Sequence, residues 1–386
     1  MGPGRLRAVL RTLTGGLLAG GLAVGVAACG TTTGGGTAST ASSAGSSGGG
    51  QMKVAFLYNS PVNDQGWDTA MYQGQQAAAA KYGSKVSITM KLVPDGPQVK
   101  TVLQSLISAG YKFIVCTSYA EQTYSIPLAK ANPDVKFIQV ESAKTLPNLA
   151  TYFTQDTAGW YLAGMAAAES SKTATLGMVG GFPISDLLAE TNAWALGAQS
   201  VKPAEKVRVT WTDNWDSVSL AQNAASGLVN AGAGALAFLT TGPAPATIAQ
   251  RSNIPWIGYQ VDQRSAAPAQ YLGGVVWNMV PYFTTQIGAA LAGTWKTGTY
   301  YVVMTNGSVS FDKGGSLYGK LPSSLQAQIA AKQAAFTSGA KNPFTGPMYD
   351  QAGKLVVPAG KTLDGAQLAL MGYLVKGVIG TVPKGA

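Results

Sequence analysis

Short apolar runs and amphipathic stretches alternate along this chain from residue 52 onward. Lys53 to Tyr58 is an apolar run with β-branched and aromatic members, the pattern of a buried strand. Asn59, Ser60 and Pro61 cut it and favour a turn. Asp64, Gln65 and Gly66 then lead into a helix predicted over 67–82, with Ala70, Met71, Gly74, Ala77 and Ala78 as its apolar or small positions. The alternation continues as a strand at 86–92, a helix at 97–109, a strand at 113–116, a helix at 120–131 and a strand at 135–140. A strand at 149–153 leads through Gln155 and Asp156 to a helix at 157–171, and the series restarts. It gives strands at 175–179, 206–212, 235–239 and 254–258, with helices at 186–199, 217–231 and 243–250 between them. Beyond lie a strand at 273–278, an amphipathic helix at 279–293 and a hairpin-rich segment at 298–312. A helix at 325–338, a small hairpin from Met348 to Pro358 and a closing helix at 363–379 complete the reading.

Strands and helices alternating at these lengths imply parallel sheets covered on both faces. Two such series of similar size predict an α/β protein of two Rossmann-like lobes. The expected division is 52–155 plus about 260–276 for the first lobe, and 156–259 plus about 277–386 for the second. A strand that delivers a polar loop to a helix N-terminus is where an open α/β sheet binds ligands, which makes Asp64, Gly66, Trp67 and Asp68 the first candidates. Trp67 would stand at the mouth of that crevice; its spacing fits a core tryptophan on a capped surface helix equally well. Gly180-Gly181-Phe182 is a second Gly-rich turn that could approach a ligand closely, although no Gly-Lys-Ser/Thr follows to make it a phosphate loop. Asp262, after the apolar run from Ile254 to Val261, is a candidate for sugar hydroxyls, since carboxylate oxygens accept charge-assisted hydrogen bonds. Trp160 and Trp194 fall on helices and read as core; Trp211 and Trp277 fit either core or lining.

Composition removes several function classes. The chain of 386 residues contains no histidine, which excludes histidine-based triads, imidazole metal sites and histidine acid–base chemistry. With no Asp cluster of metal-site spacing either, an enzyme such as a nucleoside hydrolase has little with which to activate water; no cofactor is expected. The net charge is +10, but Arg5, Arg7 and Arg11 lie at the start and the other basic residues are scattered, so nucleic acid is not an expected partner. Those arginines, the small-residue apolar run to Ala28 and Val26-Ala27-Ala28-Cys29 describe a secretory signal over 1–28 with a lipobox-like end, making Cys29 the expected lipidation site. The stretch 29–51 is Gly, Ser and Thr with almost nothing to bury, hence a flexible tether. Two acyl chains would anchor the protein stably outside the cell membrane. Cys116 ends an apolar strand and reads as a buried core thiol.

Several segments together resemble the basic membrane protein (BMP) family of lipoproteins, the purine nucleoside receptor type of ABC-transporter substrate-binding protein. They are Asn63-Asp64-Gln65-Gly66-Trp67-Asp68, Tyr161-Leu162-Ala163-Gly164, Gly258 to Gln263, Trp277-Asn278-Met279-Val280-Pro281-Tyr282, and the ending from Tyr349-Asp350-Gln351-Ala352-Gly353 to Lys376-Gly377-Val378-Ile379-Gly380. Their order and spacing span 53–383. The resemblance implies a type I periplasmic-binding fold with three interlobe crossovers, and a monomer that takes a purine nucleoside or base in its cleft and hands it to an ABC permease. It maps an aromatic sandwich onto Trp67 and Trp215, and ribose contacts onto Asp262. Asp64, Ser118, Tyr119 and Gln155 would line the first-lobe wall, with Asn278 near the third crossover. W-N-x-x-P-Y stands where the family commonly has Ser-x-x-Lys, and Asp68 stands for Asn, turning donors into acceptors. A sensor of the same fold without a transport role, or a sugar-binding protein, are the alternatives.

Overall fold

In the computed structural model, which describes residues 50–382, the two predicted series become two separate sheets. The expected signal segment, Cys29 and the tether up to residue 49 lie outside the described residues, as do 383–386. The first series runs β1 (Met52–Tyr58), α1 (Trp67–Tyr82), β2 (Val86–Leu92), α2 (Gln98–Ser108), β3 (Phe113–Cys116), α3 (Gln122–Ala131), β4 (Lys136–Val140) and β5 (Leu149–Gln155). The second runs α4 (Thr157–Ser170), β6 (Thr175–Gly180), α5 (Ser185–Val201), β7 (Lys206–Trp211), α6 (Val218–Asn230), β8 (Leu236–Leu239), α7 (Ala246–Arg251), β9 (Trp256–Gln260) and β10 (Tyr271–Trp277). Then come α8 (Val280–Leu291), β11 (Thr299–Val303), β12 (Val309–Asp312), α9 (Ser323–Thr337), the pair β13 (Met348–Tyr349) and β14 (Leu355–Val357), α10 (Gly365–Leu368) and β15 (Val378–Ile379).

The first sheet has the order β11-β5-β4-β3-β1-β2 and is parallel throughout. The second has the order β12-β10-β9-β8-β6-β7-β15, parallel except for β12. Burial on both faces explains the unbroken apolar strands. On one face of the first sheet Ala55, Leu57, Ile114, Cys116 and Phe137 pack with Val99, Leu103 and Leu106 of α2. On the other, Val54, Phe56, Val115 and Tyr152 join the larger core that holds Trp160 and Trp194, both fully buried. Cys116 is a buried free thiol, as expected.

The chain passes between the sheets three times, at 155–157, 277–280 and 303–309. These are the crossovers of the type I periplasmic-binding fold, but the expected lobe boundaries need correction. Segment 260–276 does not join the first lobe: β10 lies beside β9 in the second sheet, pinned by the Tyr271 ring 4.9 Å from that of Trp256. Conversely, α8 and β11 return to the first lobe. Phe283 meets Phe56 edge-on at 5.1 Å, Tyr82 Oη donates to Thr284 O at 2.6 Å, and β11 pairs with β5. The expected hairpin at 298–312 is therefore absent, since β11 and β12 enter opposite sheets. The closing helix shrinks to α10, because Asn192 of α5 captures the backbone that follows, donating to Tyr373 O at 2.9 Å and accepting from Val375 N at 2.8 Å.

Candidate functional site

Counted from its own first strand, each sheet contains the order 2-1-3-4-5, so each has a switch point beside its first strand. In the first lobe it lies between β1 and β3, and in the second between β6 and β8. The loop after β1 carries Asp64, whose carboxylate is consumed by the start of α1. Its Oδ1 accepts from Gly66 N (2.9 Å), Thr69 N (2.9 Å) and Thr69 Oγ1 (2.7 Å), and its Oδ2 from Asp68 N (3.0 Å). This satisfies otherwise orphan helix N–H groups and aims Trp67 across the switch point, where Nε1 donates to Thr117 O after β3 at 2.9 Å.

The two switch points meet. Gln263 Nε2 donates to Gln65 O at 2.5 Å. A Cβ on Gly66 would stand 3.0 Å from Gln260 Oε1 and 3.2 Å from Gly242 N, so any larger residue would press the second lobe back by a few tenths of an ångström. Behind this seam runs an aromatic chain. Trp67 meets Trp277 edge-on at 5.3 Å, Trp277 meets Tyr259 at 5.5 Å, and Tyr259 meets Trp160 at 5.3 Å. Gln65, Glu141 and Gln260 hold left-handed φ values of 56°, 49° and 68° without being glycine. Such backbone costs on the order of 1–3 kcal/mol a residue and concentrates at functional sites.

Carboxyls fill the rest of the seam. Asp156 accepts from Trp277 Nε1 at 2.8 Å and Glu190 from Tyr259 Oη at 3.0 Å. Burial pushes Asp156 up to about 6, and it pushes Glu190 well above the ordinary carboxylate range, with the Asp156 charge adding to it. Glu141, after β4, and Asp186, in the first turn of α5, form a second pair across the lobes. Desolvation raises Asp186 to about 6 and Glu141 well above the ordinary carboxylate range. Among the described residues no Lys or Arg forms a salt bridge with any of the four. A cavity of about 10 Å³, room for one water, lies against Asp156, Asp186, Glu190 and Leu368 of α10. No group of His, Cys, Asp and Glu among the described residues could hold a metal.

The model of the Bmp family, ABC transporter substrate-binding protein PnrA-like, matches residues 51–347. The chain belongs to this family. A purine-binding protein of Brucella abortus is 30% identical over 335 residues, covering 86% of this chain and 95% of its own. BmpA of Lactococcus lactis, an ABC transporter nucleoside-binding protein, is 25% identical over 174 residues, 44% of this chain and 50% of that one. An ABC transporter solute-binding protein structure from Conexibacter woesei aligns with a TM-score of 0.63 at 20% identity, over 75% of this chain and 98% of that one, and shares the fold. Bmp proteins are extracytoplasmic, take small-molecule ligands, work with ABC permeases and are not enzymes. No helix among the described residues is long and apolar enough to cross a membrane.

Within this Bmp fold the expected site residues separate into groups. Gly66, Trp67 and Trp277 come together at the seam. Asp68 is buried beneath it, with Oδ2 accepting from Ser60 N (2.8 Å) and Ser60 Oγ (2.7 Å), and burial raises it to about 6. Phe182 and Trp215 meet at a tilt, 5.0 Å between ring centres, on the second-lobe rim, Trp215 lying against Gly181, where a Cβ would be 2.5 Å from its ring. The others are engaged elsewhere. Asp64 is a helix cap. Ser118 N donates to Glu121 Oε2 at 3.0 Å, and Tyr119 points to solvent. Gln155 Nε2 donates to Gly365 O at 2.8 Å, and the exposed Asn278 accepts from Val280 N at 3.2 Å, starting α8. Asp262 does not face Trp67. It is half-exposed and held by Arg264 Nε at 2.9 Å, while its neighbour Gln263 crosses to the first lobe. Asp156, Asp186, Glu190, Glu141, Tyr259 and Gln260 were not among the expected residues. One sequence signal pointed to two of them: Asp186 and Glu190 are like charges four apart on an otherwise uncharged helix, a pairing that destabilises it.

Proposed function

We propose that this protein is a lipid-anchored receptor of an ABC importer that closes its two lobes on a purine nucleoside, purine base or related flat heterocycle. One observation carries the reading: Trp67, held by its indole N–H at the first switch point, lies edge-on to Trp277 where the two lobes meet. A flat ring entering on opening finds an aromatic face there, and base–aromatic stacking contributes ~1–3 kcal/mol. The purine-binding and nucleoside-binding relatives support the same chemistry. Cys29 would carry the lipid and the Gly/Ser/Thr tether would keep a monomeric body free to reach its permease.

The test is calorimetric titration of the full-length chain, in mild detergent, against nucleosides, nucleobases and sugars. Micromolar or tighter binding of at least one purine is expected. Heat from a pentose or hexose, with none from any purine, would replace the reading with sugar binding.

A further inference from the structure

Parallel strands all start at one edge of their sheet, and in the first lobe that edge is lined with lysines. Lys53 lies at the start of β1, Lys112 directly precedes β3, and Lys136 opens β4. Their backbones are neighbours: Lys112 N donates to Lys53 O at 3.2 Å and Lys136 N to Lys112 O at 3.0 Å. Lys85 stands just before β2, and Lys81 and Lys130 lie in the last turns of α1 and α3, which run back to the same edge. Against these lysines the segments 81–86, 108–112 and 130–136 hold one carboxylate, Asp134. Helix ends account for some of them. Lys53 Nζ donates to Ala109 O, at the end of α2, at 2.9 Å, and Lys81 and Lys130 complement their own helix C-termini. Lys85, Lys112 and Lys136 have no such use: none makes a side-chain hydrogen bond to the described residues, whose salt bridges all involve Arg264. A separate observation is where the chain enters the fold. Residues 50 and 51 are exposed and lead directly into Lys53, so the preceding segment joins the body at this edge.

We propose that the strand-start edge of the first lobe is a docking face for an anionic phospholipid surface. The inference uses the anchoring at Cys29 proposed above: the 22 residues from Gly30 to Gln51, rich in Gly, Ser and Thr, would hold this edge within ~25 Å of the bilayer. Clusters of about 4–8 Lys/Arg beside a membrane attachment bind anionic headgroups, each charge adding about 1 kcal/mol, or ~5-fold. The corresponding edge of the second lobe is less suited, because Glu169 and Glu205 are interleaved there with Lys172 and Lys206. Docking leaves the ligand site clear, since the Trp67 loop follows the opposite end of β1.

The experiment is acetylation of lysines in the full-length chain on vesicles of phosphatidylcholine, alone or mixed with phosphatidylglycerol, read by mass spectrometry. Lys85, Lys112 and Lys136 should react several-fold more slowly on the anionic vesicles, while the exposed Lys354 and Lys361 of the tail react alike on both. Salt at ~1 M, where the screening length falls to ~3 Å, should remove the difference. Lys85→Gln combined with Lys130→Gln should weaken docking ~25-fold, at ~5-fold per charge, and restore the reactivity of Lys112. Equal reactivity on the two vesicles, protection spread evenly to Lys354 and Lys361, or stronger protection of Lys172 and Lys206 would each overturn the inference. Flotation judges the anchor separately. A chain that does not float with neutral vesicles overturns the anchoring; protection of the first-lobe edge by added anionic vesicles then still upholds the docking face, and its absence overturns that as well.

Discussion

Trp67 is held by two contacts of different kinds, a hydrogen bond from its indole nitrogen and an edge-on ring contact. They separate by substitution. Trp67→Ala removes the stacking face and should weaken the bound purine by ~5- to 150-fold, the equivalent of ~1–3 kcal/mol. Trp67→Phe keeps a ring but loses the bond to Thr117 O, and should retain most of the affinity. Ligand-induced change in intrinsic fluorescence, which Trp67→Ala should largely abolish, reads the same event; unchanged affinity and signal in Trp67→Ala would put that ring outside the site. Trp67 was legible in the sequence because a turn, a cap and an aromatic in the first helical turn give it an address. Asp262 was not. A carboxylate after a strand reads alike whether it faces a cleft or a neighbouring Arg, and here Arg264 two residues on takes it. Asp156 and Glu190 were illegible for the opposite reason: their meaning comes from Trp277 and Tyr259, remote in sequence.

At the scale of elements, hydrophobic period fixes the type of a segment and leaves its partner open. Nearly every strand and helix of the two main series lies where its pattern predicts. The segments that move between lobes do not announce it, because β10 and β11 are apolar strands that suit either sheet. Helix α8 is decided by shape: Phe283 is fully buried, edge-on to both Phe56 and Tyr152 of the first lobe. Phe283→Ala should therefore destabilise the protein by ~3–5 kcal/mol, the usual cost of emptying a buried phenylalanine site, as read by urea denaturation. A loss below ~1 kcal/mol would mean that α8 is not packed into the first-lobe core. The tail shows the limit of periodicity. LDGAQLALMGYLVKGVIG looks helical throughout, yet Gly372 and Gly377 weaken a helix there and Asn192 offers the backbone better partners.

For the whole molecule, the arrangement of acids makes closure depend on protons. Glu141 comes from the first lobe and Asp186 from the second, and desolvation where they meet raises both, Asp186 to about 6 and Glu141 well above the ordinary carboxylate range. Asp186 also faces Asp156, Glu141 faces Thr154 Oγ1 at 3.4 Å, and Glu190 and Tyr259 stand behind Asp156; no Lys or Arg among the described residues pairs with them. In the open form these carboxyls would titrate near ~4. A raised carboxyl in the closed form means that closure binds protons, so its favourable contribution is full below ~4 and declines as pH rises through about 6. Labels placed by Leu92→Cys and Leu220→Cys in a Cys29→Ser background, both positions exposed and on opposite lobes, would report the gap, with Cys116 buried. The distance in the ligand-free chain should shorten between ~pH 8 and ~pH 5, the range spanning the raised carboxyls. Glu141→Gln, whose amide can donate to Asp186 without taking up a proton, should hold the gap short at both. Net charge cannot mimic this, because acidification makes a chain of formal charge +10 more positive and favours separation. A wild-type gap that stays constant or widens on acidification would show that the Glu141–Asp186 contact does not govern closure.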